Sequence, residues 1–219
     1  MSLKIERVLS ELGERSTLER SGKIQAPSGE EMLAITYDTG SFFEIFLIAM
    51  KAKRILEIGT SVGYSTLWFA SAVINNNAAG PENRKPIITV EMSASKIKRA
   101  LKNFSEAGVG NLIEVFEGSA MRVLNEISED LEGKEENQKM DSFFDFIFLD
   151  ADKENLKEYF DMALPMLRVG GVIATDNMLY PEEYSDFMSE YANYIRSKNS
   201  VKTVTVAIGN GEEITTRIF

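Results

Sequence analysis

Asp150-Ala151-Asp152-Lys153 and Asp176-Asn177 carry the side chains in this chain best suited to chemistry. Each group ends an apolar run, Phe144 to Asp150 and Val172 to Asp176, of the kind that forms a buried strand. Neighbouring parallel strands lie about 4.8 Å apart. Asp150, Asp176 and Asn177 then converge on one oxygen-rich point at the strand ends. Such oxygen ligands, with positions left for water, suit a hard cation such as Mg²⁺. The plainer alternative is a capping cluster. It is less attractive because close carboxylates repel unless a cation or a proton intervenes.

A second chemical feature lies upstream. Ile55-Leu56-Glu57-Ile58 reads as a short buried strand, Gly59 and Gly63 bracket a turn, and Thr66 to Ile74 reads as a helix. Glycine lets the backbone approach a ligand, and a helix start favours polar or anionic groups. The spacing Gly59-x-x-x-Gly63 is not the Gly-x-Gly-x-x-Gly of a dinucleotide fold, which disfavours a nicotinamide oxidoreductase. With Glu57 in the strand, the loop suits a ligand bearing an ammonium group better than a pyrophosphate. The plainer alternative is a strand-to-helix turn whose glycines serve packing. Glu91 ends the next strand, where a carboxylate can take two ribose hydroxyls, and Met92 after it can pack on an adenine face.

Composition narrows the chemistry. The 219 residues contain no cysteine and no histidine, so a general base has to be Asp, Glu, Lys or Tyr. The formal net charge is −10, an unfavourable starting point for binding nucleic acid. No apolar run is long enough to span a membrane, and Met1-Ser2-Leu3-Lys4 is not followed by a signal core, so a cytoplasmic protein is expected.

Strands and helices alternate from Lys53 onward, which argues for a parallel sheet with crossover helices. Strands are expected at 55–58, 87–91, 112–116, 144–150, 172–176, 201–208 and 213–218. Helices are expected at 66–74, 94–107, 120–131, 156–167 and 182–196. The last two strands read as a hairpin about Gly209-Asn210-Gly211, making one strand antiparallel. Before this core, residues 3–20 read as an amphipathic helix. Ser28 with Glu31 resembles a capping box for a helix at Met32 to Ile35, and Asp38-Thr39-Gly40 opens another over Ser41 to Met50. Residues 75–86 and the charged stretch 129–142 read as loops. One domain over residues 1–219 is expected, with 1–50 as a helical extension and 51–219 as the core.

The combination of Ile55 to Thr60 with Gly63-Tyr64-Ser65, Phe148 to Asn155, Leu167 to Gly171 and Asp176-Asn177 resembles the metal-dependent catechol and caffeoyl-CoA O-methyltransferases. The resemblance runs from about Gly40 to Asn177. It implies a Rossmann-like fold with helices on both faces of a seven-stranded sheet, and S-adenosylmethionine plus a divalent cation as cofactors. It assigns Glu57, Gly59, Tyr64 and Ser65 to the methionine end of S-adenosylmethionine, Glu91 to the ribose, and Met92, Ser119 and Ala120 to the adenine, with Gly118 also counted among the cofactor-binding residues. Asp150 borders both cofactor and metal. Asp150, Asp176 and Asn177 are implied to hold the metal and Lys153 to be the general base. The implied partners are a small hydroxylated aromatic and a second copy of the chain. Two departures stand out: Gly118-Ser119-Ala120 replaces the family's Gly-Asp-Ala, and the segment after Asn177 is short. The alternatives are methylation of a hydroxylated tRNA base, against which the acidic balance argues, and a binding module without chemistry, against which Asp150, Lys153, Asp176 and Asn177 argue.

Overall fold

The computed structural model describes residues 1–78, 85–133 and 143–219. Seven strands form one sheet: β1 (Ile55–Ile58), β2 (Ile87–Glu91), β3 (Ile113–Glu117), β4 (Phe144–Leu149), β5 (Leu167–Thr175), β6 (Val201–Val206) and β7 (Glu212–Arg217). Their order is β3-β2-β1-β4-β5-β7-β6. β7 runs antiparallel to both neighbours, and the pairings among β1 to β5 are parallel, as expected for a sheet wound by crossover helices. Among the described residues the α-helices are α1 (Leu3–Arg20), α2 (Tyr37–Ala49), α3 (Tyr64–Asn75), α4 (Ala94–Ala107), α5 (Ala120–Glu132), α6 (Leu156–Ala163) and α7 (Ser185–Arg196).

The pleat divides the strand residues between two cores. Ile55, Ile87, Phe146 and Phe148 face α1 to α4, whereas Leu56, Ile58, Ile147 and Leu149 face α5 to α7. Both faces are covered, which is why β1 and β4 read as continuous apolar runs. The N-terminal helices belong to this packing. Phe43 of α2 lies 5.3–6.3 Å, centroid to centroid, from Phe69, Phe146 and Phe148. Among the described residues no helix is long and apolar enough to cross a membrane.

Several element boundaries differ from the sequence expectation. There is no helix over Met32 to Ile35. The Met32 N–H donates to Glu19 Oε2 at 2.9 Å and the Ala34 carbonyl accepts from Arg20, so this segment is stretched along the end of α1. α2 starts at Tyr37, earlier than Ser41, because the Thr36 hydroxyl accepts the Thr39 N–H at 3.1 Å and caps it there. α3 begins at Tyr64, directly after Gly63. The third strand is shifted by one residue, to Ile113–Glu117.

The helix expected to reach Leu167 stops at Ala163. Pro165 lacks the N–H a longer helix needs, and a 3₁₀ turn, Leu164–Met166, leads straight into β5. Gly170 and Gly171 therefore lie inside β5, at an irregularity where the partner register jumps from Phe144↔Leu167 to Phe146↔Val172. A 3₁₀ turn, Glu182–Tyr184, precedes α7, and the closing hairpin is trimmed to Val201–Val206 and Glu212–Arg217. Of the two expected loops, Asn75 ends α3 and Glu129–Glu132 end α5, while 79–84 and 134–142 lie outside the described residues.

Candidate active site

At the carboxyl end of β1 the backbone passes close to the end of β4. Gly59 has φ 107°, and a Cβ there would collide with the Asp150 carbonyl. Gly63, at φ 84°, caps α3 without a side chain, and a Cβ there would strike the Phe104 ring. Left-handed conformations and this crowding explain why both positions are glycine. A side-chain-free helix start leaves its N–H groups for a ligand.

Beneath the turn, Glu57 is wholly buried. It accepts hydroxyls from Ser65 (2.5 Å), Thr66 (2.5 Å) and Thr89 (2.6 Å). Desolvation holds its pKa above the usual carboxylate range, against the pull of these donors. Glu57 thus ties β1, β2 and the start of α3 together. Tyr64 is buried with its ring edge-on to Trp68, centroids 6.3 Å apart.

Glu91 is held firmly at the end of β2. Its Oε2 accepts the Ser61 N–H at 2.8 Å, and its Oε1 accepts the N–H groups of Met92 and Ser93 at 2.9 Å each. Each oxygen keeps acceptor capacity. Met92 beside it is 69% exposed, an apolar surface without cover. On the neighbouring strand end, Gly118 takes φ 151°, Ser119 caps α5 by accepting the Arg122 N–H, and Ala120 is buried. The Arg122 guanidinium lies against Gly118 and donates to the Glu117 carbonyl at 2.6 Å.

The acidic pair meets as its spacing predicts. Leu149 and Thr175 are register partners, which sets Asp150 beside Asp176. Asp176 is buried, and Asn177 after it has φ 66°, a left-handed conformation that asparagine tolerates. Lys153 reaches back over both strand ends. Its Nζ donates to Asn177 Oδ1 at 2.7 Å and stands 3.6 Å from Asp150 Oδ1. Asp152 turns away to accept from Tyr159 at 2.7 Å and from Asn155, so it does not answer the Lys153 ammonium.

Asp150 is pushed up to about 7, by desolvation first and by the Asp176 charge second, against Lys153. Asp176 is raised as well, chiefly by desolvation. Among the described residues no three His, Cys, Asp or Glu side chains are arranged as a metal centre by themselves. The oxygen set is two carboxylates and the Asn177 amide.

The structure brings Asp150, Lys153, Asp176 and Asn177 into one cluster. It spreads Glu57, Gly59, Tyr64, Ser65, Glu91, Met92, Gly118, Ser119 and Ala120 along the adjoining strand ends and helix starts. One residue was missed. Glu212, at the start of β7, is 0% exposed and has no hydrogen-bond partner on either carboxylate oxygen. In sequence it reads as one of two acids after a turn, and nothing there separates it from a solvated strand end.

Comparison with known proteins bears on this geometry. Residues 8–217 match the model of a family described as O-methyltransferase. A catechol O-methyltransferase from Niastella koreensis is 33% identical over 154 residues, 70% of this chain, which spans 62% of that enzyme's length. A caffeoyl-CoA O-methyltransferase from Medicago sativa is 28% identical over 94% of this chain and 83% of its own. The crystal structure of an O-methyltransferase from Bacillus cereus in complex with SAH superposes with a TM-score of 0.74 at 25% identity, covering 96% of this chain and 90% of that one. With the Rossmann-like sheet and its glycine turn in place, the chain belongs to the O-methyltransferase family, whose members use S-adenosylmethionine.

Proposed function

We propose that this enzyme methylates a hydroxyl of a small aromatic, catechol-like acceptor, assisted by a divalent cation, with Lys153 as the general base. The observation that carries the reading is Lys153 Nζ, 2.7 Å from Asn177 Oδ1 and 3.6 Å from Asp150 Oδ1 at the shared end of β4 and β5. S-adenosylmethionine, when bound, supplies an electrophilic methyl group. The donor set of Asp150, Asp176 and Asn177 fits a hard cation, because both carboxylates are held above their ordinary pKa where they stand and a positive charge relieves that. Asp150, Asp176 and Asn177 would hold such an ion, which would supply charge stabilisation to a deprotonating acceptor hydroxyl.

This chain's own residues do the rest. Once its ammonium has released a proton to solvent, the neutral Lys153 amine takes the hydroxyl proton, and the Asn177 amide oxygen and Asp150 keep Nζ at the strand ends. Glu57 fixes the β1 turn from below, and the rigid Glu91 carboxylate offers its remaining lone pairs to ribose hydroxyls. The segment after Asn177 is pinned to the closing hairpin by Met178 N–H to Gly211 O (3.0 Å) and Leu179 N–H to Asn210 O (2.8 Å). Leu179 and Tyr180 are exposed there, which supports an aromatic acceptor. The names of the catechol and caffeoyl-CoA relatives support the same class. A cytoplasmic homodimer belongs to this reading, and Ile45 and Ile48, exposed on α2, support a second copy.

The test is transfer of labelled methyl from S-adenosylmethionine to catechols, flavonoids and unmodified tRNA, with Mg²⁺ and with excess chelator. Methylation of a catechol that stops in chelator is the expected result. Undiminished turnover in chelator refutes the cation, and labelling of tRNA alone refutes the acceptor class.

A further inference from the structure

Glu212 presents a physical problem that the reading above leaves open. It is 0% exposed; among the described residues no N–H or hydroxyl group donates to either carboxylate oxygen, and the one polar side chain it meets is another acid, Asp176. A buried carboxylate in that state is costly unless something positive or a proton answers it. Its surroundings are acidic. Asp176 lies against it and Asp150 adds further repulsion, while Lys153 is the positive group that acts on it. The β5–β7 pairing explains the placement, since Thr175 pairs with Glu213 and so brings the first residue of β7 beside Asp176.

The charges add up to a definite deficit. With all three carboxyls ionised, Asp150, Asp176 and Glu212 contribute −3 and Lys153 contributes +1, a sum of −2 in a site largely closed to water. One divalent cation cancels that sum, whereas a monovalent ion or the lysine alone does not. We propose that Glu212 is the third carboxylate of the cation site, standing behind Asp176 and supplying the charge that makes the site select a divalent ion. It is a positioning residue and not a direct ligand, in keeping with the absence of a ready three-carboxylate centre among the described residues. The inference rests on the cation-assisted reading of the same site.

The experiment uses the full chain and MgCl₂ alone as the probe. Calorimetry measures Mg²⁺ affinity for wild type, Glu212→Gln and Glu212→Met. Thermal melts of the same proteins are recorded in chelator and in saturating Mg²⁺. Glu212→Gln keeps the shape of the side chain, and its amide can donate to Asp176. The expected result is Mg²⁺ affinity at least tenfold weaker in both variants. Glu212→Gln should also melt higher than wild type in chelator, and Mg²⁺ should raise its melting temperature less. A glutamate with a merely structural role gives a lower melting temperature in chelator and unchanged affinity. Wild type that binds Mg²⁺ alongside an equally tight Glu212→Gln overturns the role of Glu212 alone. Wild type that takes up no divalent ion overturns the cation-assisted reading, and this inference with it.

Discussion

Raising the pH in the absence of metal should destabilise this protein, and the Asp150 carboxyl sets the window. Its folded value lies at about 7 against an ordinary 3.8. A group raised in the folded state favours folding fully below its unfolded pKa, and that contribution is lost as pH rises through the folded value. The window is therefore pH 4 to 7, with stability falling across it. The difference, 7 − 3.8, is about 3 units, and at 1.36 kcal/mol per unit this gives about 4 kcal/mol as an upper figure, shared with Asp176. For a domain of this size that corresponds to a fall in Tm of roughly 10 °C. The assay is a series of thermal melts in chelator from pH 4.5 to 8, for wild type and Asp150→Asn. The variant removes the titrating carboxyl and should show a much flatter slope. Saturating Mg²⁺ at pH 8 should restore most of the wild-type loss. An Asp150→Asn protein with the wild-type slope, or a wild-type Tm that rises across the window, would refute the reasoning.

Three further outcomes are expected. Lys153→Met keeps the stem but removes the proton acceptor, so kcat should fall by roughly 10²–10⁴ with S-adenosylmethionine affinity nearly intact; wild-type kcat across pH 6–9 would exclude the base role. Glu91→Ala removes a carboxylate already held by three backbone N–H groups, and calorimetry should show S-adenosylmethionine bound about one to two decades more weakly. Gly59→Ala forces a Cβ into the Asp150 carbonyl at φ 107°. Denaturant melts should report a loss above about 2 kcal/mol, and a stable variant would mean that β1 and β4 can separate there.

Much of this molecule was determined by local pattern. Apolar runs such as Ile55–Ile58 and Phe144–Leu149 are strands because both faces of a parallel sheet are buried, and α4 ends at Ala107 because Gly108 takes a left-handed φ of 73°. Strand alternation also determined that Asp150 and Asp176 would be neighbours, since ligand-binding residues of such sheets gather at the carboxyl ends of adjacent strands. Other features were decided only by tertiary contact. Met32 to Ile35 carries a helix-start signal, yet Glu19 and Arg20 of α1 take its backbone groups and hold it extended. Asp152 and Lys153 are adjacent in sequence, but Tyr159 and Asn155 draw Asp152 one way while Asn177 and Asp150 draw Lys153 the other. Glu212 shows the same division at its sharpest. Its sequence neighbours Gly211 and Glu213 mark a turn and a strand start, whereas its burial against Asp176 depends on β7 inserting antiparallel between β5 and β6. A residue's charge is written in the chain, but the partner that answers it belongs to another strand, and only the folded sheet brings the two together.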